Sequence, residues 1–154
     1  MTSHINRPNG PEKGKSNMKK LILSVAFTLS ASTAFADAHG MAPMIEAMDQ
    51  SVENGVVSAN KVVAGENGWL VVHRTDAEMK PGPVVGYAPL RMGENVDVAA
   101  LLQEDVAAGD MLMLMVHSEA GGMKTGVFEY TLGAKEDGPI KPDGNLVMQV
   151  VTAK

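Results

Sequence analysis

The chain has no cysteine. That excludes a disulfide framework, a thiolate metal site and a lipidated-cysteine anchor, so stability has to come from packing. Enzymatic motifs are missing too. There is no Gly-x-Ser-x-Gly, no His-Glu-x-x-His and no phosphate-cradling glycine loop. Ser118 directly follows His117, so on a strand the two side chains take opposite faces and do not form a nucleophile–base pair. The expectation is a protein that is not an enzyme. Basic charge is scarce. Of 18 acidic and 13 basic residues, one acid and five bases precede Asp37, so residues 37–154 carry 17 acids and 8 bases, a net charge of −9. Nucleic acid and anionic lipid, which need basic patches, are poor partners for such a surface.

What is present begins with an export pattern. Lys19 and Lys20 precede an apolar run at residues 21–30 (LILSVAFTLS), and Ala34-Phe35-Ala36 puts small residues at the −3 and −1 positions of a cleavage site. The run is shorter than the ~20 residues a membrane-spanning helix requires, so the chain is not expected to be an integral membrane protein. The reading is an upstream extension at residues 1–17, a signal peptide at 18–36, a flexible mature N-terminus at 37–43 and one domain at 44–154. The expected location is the periplasm or the exterior.

The domain reads as all-β. Residues 110–118 (DMLMLMVHS) alternate strictly, with Met111, Met113, Met115 and His117 on one face and Leu112, Leu114 and Val116 on the other. Apolar on both faces, this is expected to be a central strand covered on both sides. Further strands are expected at 56–64, 69–74, 84–90, 95–102, 127–132 (VFEYTL) and 146–152, separated by Gly, Pro and Asp turns. Residues 44–50 are ambiguous: Met44, Met48 and Val52 at intervals of four favour a helix, while alternation favours a strand. Trp69 is expected in the sandwich core. About seven short strands predict an antiparallel, immunoglobulin-like or cupredoxin-like sandwich.

Five segments carry a resemblance. Residues 68–73 (GWLVVH), 86–90 (GYAPL), Asp97-Val98, 114–117 (LMVH) and 137–140 (DGPI) resemble an uncharacterised secreted prokaryotic β-sandwich family, a domain of unknown function. The resemblance covers residues 44–154 and implies a strand, not a helix, at 44–50. It implies no activity.

The residues that could carry chemistry point to copper. Cleavage after Ala36 would leave Asp37-Ala38-His39 at the terminus. A free amine, two backbone amides and the His39 imidazole make the square-planar nitrogen set that Cu(II) prefers. Cleavage two residues later would leave a terminal His39, whose amine and imidazole form a two-nitrogen chelate. Met41, Met44 and Met48 follow within nine residues, and soft thioethers select Cu(I). Methionine is also ordinary core filler, and exposed methionines can act as an oxidant buffer through sulfoxide. His73 and His117 each end an apolar strand. On neighbouring strands they could converge at one end of the sandwich, with Met115, Met79 or Met123 as a third donor. The ordinary role of such histidines is to satisfy a loop carbonyl or a carboxylate, with Asp76 and Glu119 nearest in sequence. Asp137 and Asp143 lack calcium-loop spacing and read as turn residues. Two functions follow as expectations: an exported copper-binding protein, or a metal-free structural or interaction module whose partner is an envelope protein.

Overall fold

A computed structural model describes residues 40–154. The upstream extension, the signal peptide and the residues Asp37, Ala38 and His39 lie outside the described residues. The described chain is all-β, with seven strands: β1 (Met44–Glu46), β2 (Val56–Ala64), β3 (Gly68–Thr75), β4 (Val84–Leu90), β5 (Gly93–Leu102), β6 (Met111–Ser118) and β7 (Met148–Thr152). Among the described residues no helix is long and apolar enough to cross a membrane.

All strand pairings are antiparallel, in the order β1-β2-β5-β4-β3-β6-β7. With the strands lettered A to G this is A-B-E followed by D-C-F-G. It is the immunoglobulin order, with the fourth strand joined to the layer of the third, sixth and seventh. The two layers meet at a narrow seam, where β4 and β5 pair only at Gly86↔Leu102 and Tyr87↔Leu101. Glycine makes that seam possible, because a Cβ at Gly86 would lie 2.6 Å from the Leu101 carbonyl oxygen. The sheet nearly closes on its other side. Gln50 bridges Ala153 in parallel, its N–H donating to Thr152 O at 3.3 Å and its carbonyl accepting from Lys154 N at 2.9 Å.

Between the layers lies an aliphatic core. Leu70 and Val72 of β3, and Leu112, Leu114 and Val116 of β6, point into it against Val57, Val62 and Ala100 of the opposite layer. Alternation thus acts as expected for β6, which sits between β3 and β7.

One ambiguity is resolved and two expectations need correction. Residues 44–50 are extended, as the resemblance implies, and not a helix. β1 is a short strand, followed by extended chain that reaches the Gln50 bridge. Tertiary pairing with β2 outweighs the four-residue spacing of Met44, Met48 and Val52. Residues 127–132 are not a strand. They run as a covering loop, and their alternation points Phe128 and Tyr130 towards one sheet face without any ladder. Trp69 is buried but does not belong to the inter-layer core; it lies on the outer face of β3.

Candidate functional site

The outer face of β3 and β6 is as buried as the inner one. Val71, His73, Met113, Met115 and His117 are all at most 1% exposed. Among the described residues no second sheet layer covers them. Two loops do, and the two histidines hold those loops.

Residues 75–83 fold back beside His73. Arg74 N donates to Pro83 O at 2.9 Å, and Gly82 N donates to Arg74 O at 2.8 Å. The turn is tight at Gly82, where a Cβ would stand 2.9 Å from Arg74 O. This brings the Gly82 carbonyl within 2.8 Å of His73 Nδ1.

Residues 119–140 cover His117. Asp137 is the clasp of this loop. It is fully buried and has a φ of 44°, a conformation for which aspartate is one of the more tolerant residues. Its carboxylate accepts from Ala120 N at 3.2 Å and from Glu129 N at 2.8 Å. Its own N–H donates to Ala120 O at 2.8 Å. Its carbonyl oxygen lies 2.6 Å from His117 Nδ1. Next to it, Pro139 bridges His117, and Ser118 N donates to Gly138 O at 2.9 Å.

Aromatic rings complete the cover. Tyr130 stands edge-on to His117 with centroids 4.6 Å apart and to His73 at 5.8 Å. Phe128 packs on Tyr87 at 4.4 Å and on Trp69 at 5.5 Å. A groove of about 420 Å³ runs beside this cover, lined by Tyr87, Gln103, Phe128 and Leu132 among others.

The two imidazoles meet. His73 Nε2 and His117 Nε2 are 3.4 Å apart. They do not start from the same end of the face. In the register His73 faces Met113 and His117 faces Trp69, with the Val71–Met115 pair between. Four residues of strand separate the two histidine levels, ~13 Å along the strand direction, and the rings lean towards each other to close it. The rings converge as expected of neighbouring strands, but not at one end of the sandwich: antiparallel neighbours that each end in histidine carry them at opposite ends.

The hydrogen bonds decide the protonation pattern. A carbonyl oxygen only accepts, so both Nδ1 atoms carry hydrogen and donate to Gly82 O and Asp137 O. In neutral rings both Nε2 atoms then present lone pairs, aimed at each other. Burial holds both rings below the usual histidine pKa, His117 at about 4, where the nearby His73 adds to the effect. At neutral pH the contact is therefore two acceptors without a proton between them. Such a buried pair calls for a cation or a proton.

Asp76 and Glu119 are not the histidine partners; main-chain carbonyls are. Glu119 instead accepts from Gly126 N, and Asp76 from Glu78 N. Main-chain carbonyls carry no residue-type signal, so the sequence points only to the nearest carboxylates. Met115 lies on the histidine face, between the two rings in register. Met79 and Met123 are surface residues, 53% and 91% exposed. Met41 and Met48 are exposed as well, and Met44 and Met48 line two different shallow grooves. Among the described residues no three His, Asp or Glu side chains converge. The sequence does not mark Asp137, Phe128 and Tyr130 as site residues. The Phe128–Tyr130 spacing and the Asp137-Gly138 turn were the available signals.

A family comparison fits this geometry, because its span takes in both histidine strands and the covering loop. A family model described as Domain of unknown function (DUF7282) matches residues 43–154. The chain belongs to this family. The match runs from just before β1 to the end of the chain, so the DUF7282 domain is the whole described sheet together with its covering loops. No curated protein and no solved structure matches the chain.

Proposed function

We propose that this DUF7282 protein is an exported, non-catalytic binding protein for a single first-row transition-metal ion, copper above all, held by His73 and His117. One observation carries the reading: two buried Nε2 lone pairs facing each other at 3.4 Å, with each Nδ1–H committed to a carbonyl. Metal-bound histidines characteristically donate their second nitrogen to a carbonyl or carboxylate, which sets the tautomer and the ring orientation. The spacing also suits a metal. Two nitrogens bound tetrahedrally at ~2.0–2.1 Å from one ion lie ~3.3–3.4 Å apart. Imidazole accepts zinc, copper, nickel and iron, and a thioether at Met115 tilts the set towards Cu(I). Export is supported by the basic, apolar and small-residue pattern at residues 19–36. The sequence Asp37-Ala38-His39 would add a Cu(II) site if cleavage follows Ala36, and Met41 and Met48 would add exposed thioethers behind it.

The test is metal binding by the purified protein, with competition between Cu(I), Cu(II) and Zn(II). His117→Asn is the informative variant. Its amide nitrogen can still donate to Asp137 O, while the Nε2 ligand is gone. One tightly bound copper per chain, lost in His117→Asn and in His73→Asn, is the expected result. Copper bound equally well by both variants would sink the assignment.

A second reading has its own observation. Both histidines staple loops to the sheet through Gly82 O and Asp137 O. In that reading they are structural, and the domain is an interaction module of the envelope. It predicts that His73→Ala and His117→Ala, which lack the donor, weaken loop protection, that the asparagine variants retain it, and that metal content is unaltered in all four.

A further inference from the structure

The histidine pair is sealed: His73 and His117 are 0% and 1% exposed. An ion bound there has to arrive by a route. The groove beside Tyr87 and Phe128 offers an amide and aromatic rings but no imidazole, carboxylate or thioether. The other side of the face is different. β7 is the neighbour of β6, and Met148 stands directly opposite Met115 in their register. Opposed residues of an antiparallel pair share a face, with Cβ atoms ~4.5–5.5 Å apart. One cross-strand row therefore runs Val71, Met115, Met148. Its inner methionine sits between the two histidine levels. Its outer methionine is 37% exposed. At the surface Met148 shares a groove of about 320 Å³ with Met44 of β1.

We propose that Met44 and Met148 form a surface receiving site for Cu(I), and that Met115 passes the ion inward to His73 and His117. This rests on the metal-binding reading above and adds to it an oxidation state and an entry path. Thioethers are soft donors that hold Cu(I) and have little affinity for hard or strongly hydrated divalent ions. A path made only of methionine thus selects the reduced ion before it reaches imidazoles that would accept several metals. The transfer is a ligand exchange. Copper stays Cu(I), each thioether is displaced by the next donor, and the ring nitrogens release no proton because Nε2 carries none. The path also accounts for Met148, whose apolar side chain is exposed on a strand that otherwise turns its larger aliphatics inward or half-inward.

The experiment is the rate of copper loading. Metal-free protein is mixed with the coloured Cu(I)–bicinchoninate complex, and decolourisation is followed by stopped flow. Wild type is compared with Met148→Leu, with the Met44→Leu/Met148→Leu double variant and with His117→Asn. Leucine keeps the volume and removes the sulfur. The double variant is expected to load at least roughly tenfold more slowly, to reach the wild-type copper content, and to take up Zn(II) no differently from wild type. His117→Asn is expected to lose the final high-affinity state. Loading of the double variant at the wild-type rate would overturn the route while leaving the histidine site standing. Loss of equilibrium copper in the double variant would also overturn it, because copper would then rest on the methionines. A wild-type protein that takes no Cu(I) would remove both the route and the site.

Discussion

The two faces of the β3–β6 pair are equally dry and chemically opposite. Inward, Leu70, Val72, Leu112, Leu114 and Val116 meet the aliphatic side chains of β2 and β5. Outward, Trp69, Val71, His73, Met113, Met115 and His117 meet loops. A sheet layer arrives with its backbone already hydrogen-bonded, so it can be covered by pure hydrocarbon. A loop arrives with free carbonyls and amides that need partners. The histidine Nδ1–H groups and the Asp137 carboxylate supply them. The outer face is therefore where polarity can be buried at small cost, and where two Nε2 atoms can be left facing each other. Regular sheet opens with difficulty, and irregular loops open locally with far less. The inner face serves stability, and the outer face is available for a function.

The sharpest way to break the comparison is one substitution on each face. Leu114→Ala on the inner face is expected to cost about 2–5 kcal/mol in urea unfolding and to leave copper binding by the folded protein unchanged. Met115→Leu, the next residue on the opposite face, keeps the volume and is expected to cost less than about 1.5 kcal/mol while weakening any bound Cu(I). Unchanged Cu(I) binding in Met115→Leu, or weakened binding in folded Leu114→Ala, would remove the distinction.

Next in size is the pH dependence of the metal-free protein. His117 titrates at about 4 when folded and near 6.5 when unfolded. Between those values the unfolded chain binds more protons, so stability rises with pH across that window and falls as the medium is acidified. The His117 contribution is about 3 kcal/mol in all. His73 shifts in the same direction. Urea midpoints measured from pH 4 to pH 7 should rise in wild type and be flatter in His117→Asn.

Asp137→Ala is expected to cost about 1.5–3 kcal/mol, because two part-buried amides lose a carboxylate acceptor. Hydrogen exchange should accelerate in residues 119–140 and stay slow in β2 and β5. Uniform acceleration would show that the loop is not a separate unit. The smallest effect belongs to Met123→Leu, on an exposed loop tip, with a change within about 0.5 kcal/mol and no effect on copper.

Much of this was legible along the chain. Strict alternation in residues 110–118 identified both faces of β6, and turn residues marked β2 to β5 to within one or two positions. Residues 127–132 show where the signal misleads. Alternation reports that side chains point alternately to a surface and away from it, and a loop lying on a sheet meets that condition without pairing. Trp69 misled for a related reason. A large apolar residue on a strand announces burial, but not which of two covered faces takes it.

Local pattern alone determined that this chain makes short antiparallel strands with a methionine-and-histidine face, because side-chain direction on a strand follows from neighbours in sequence. It could not decide that His73 meets His117, that Asp137 clasps the loop above them, or that Met148 stands beside Met115. Those depend on contacts between residues 8 to 44 positions apart, and register is settled when the apolar faces close on one another in the folded sheet.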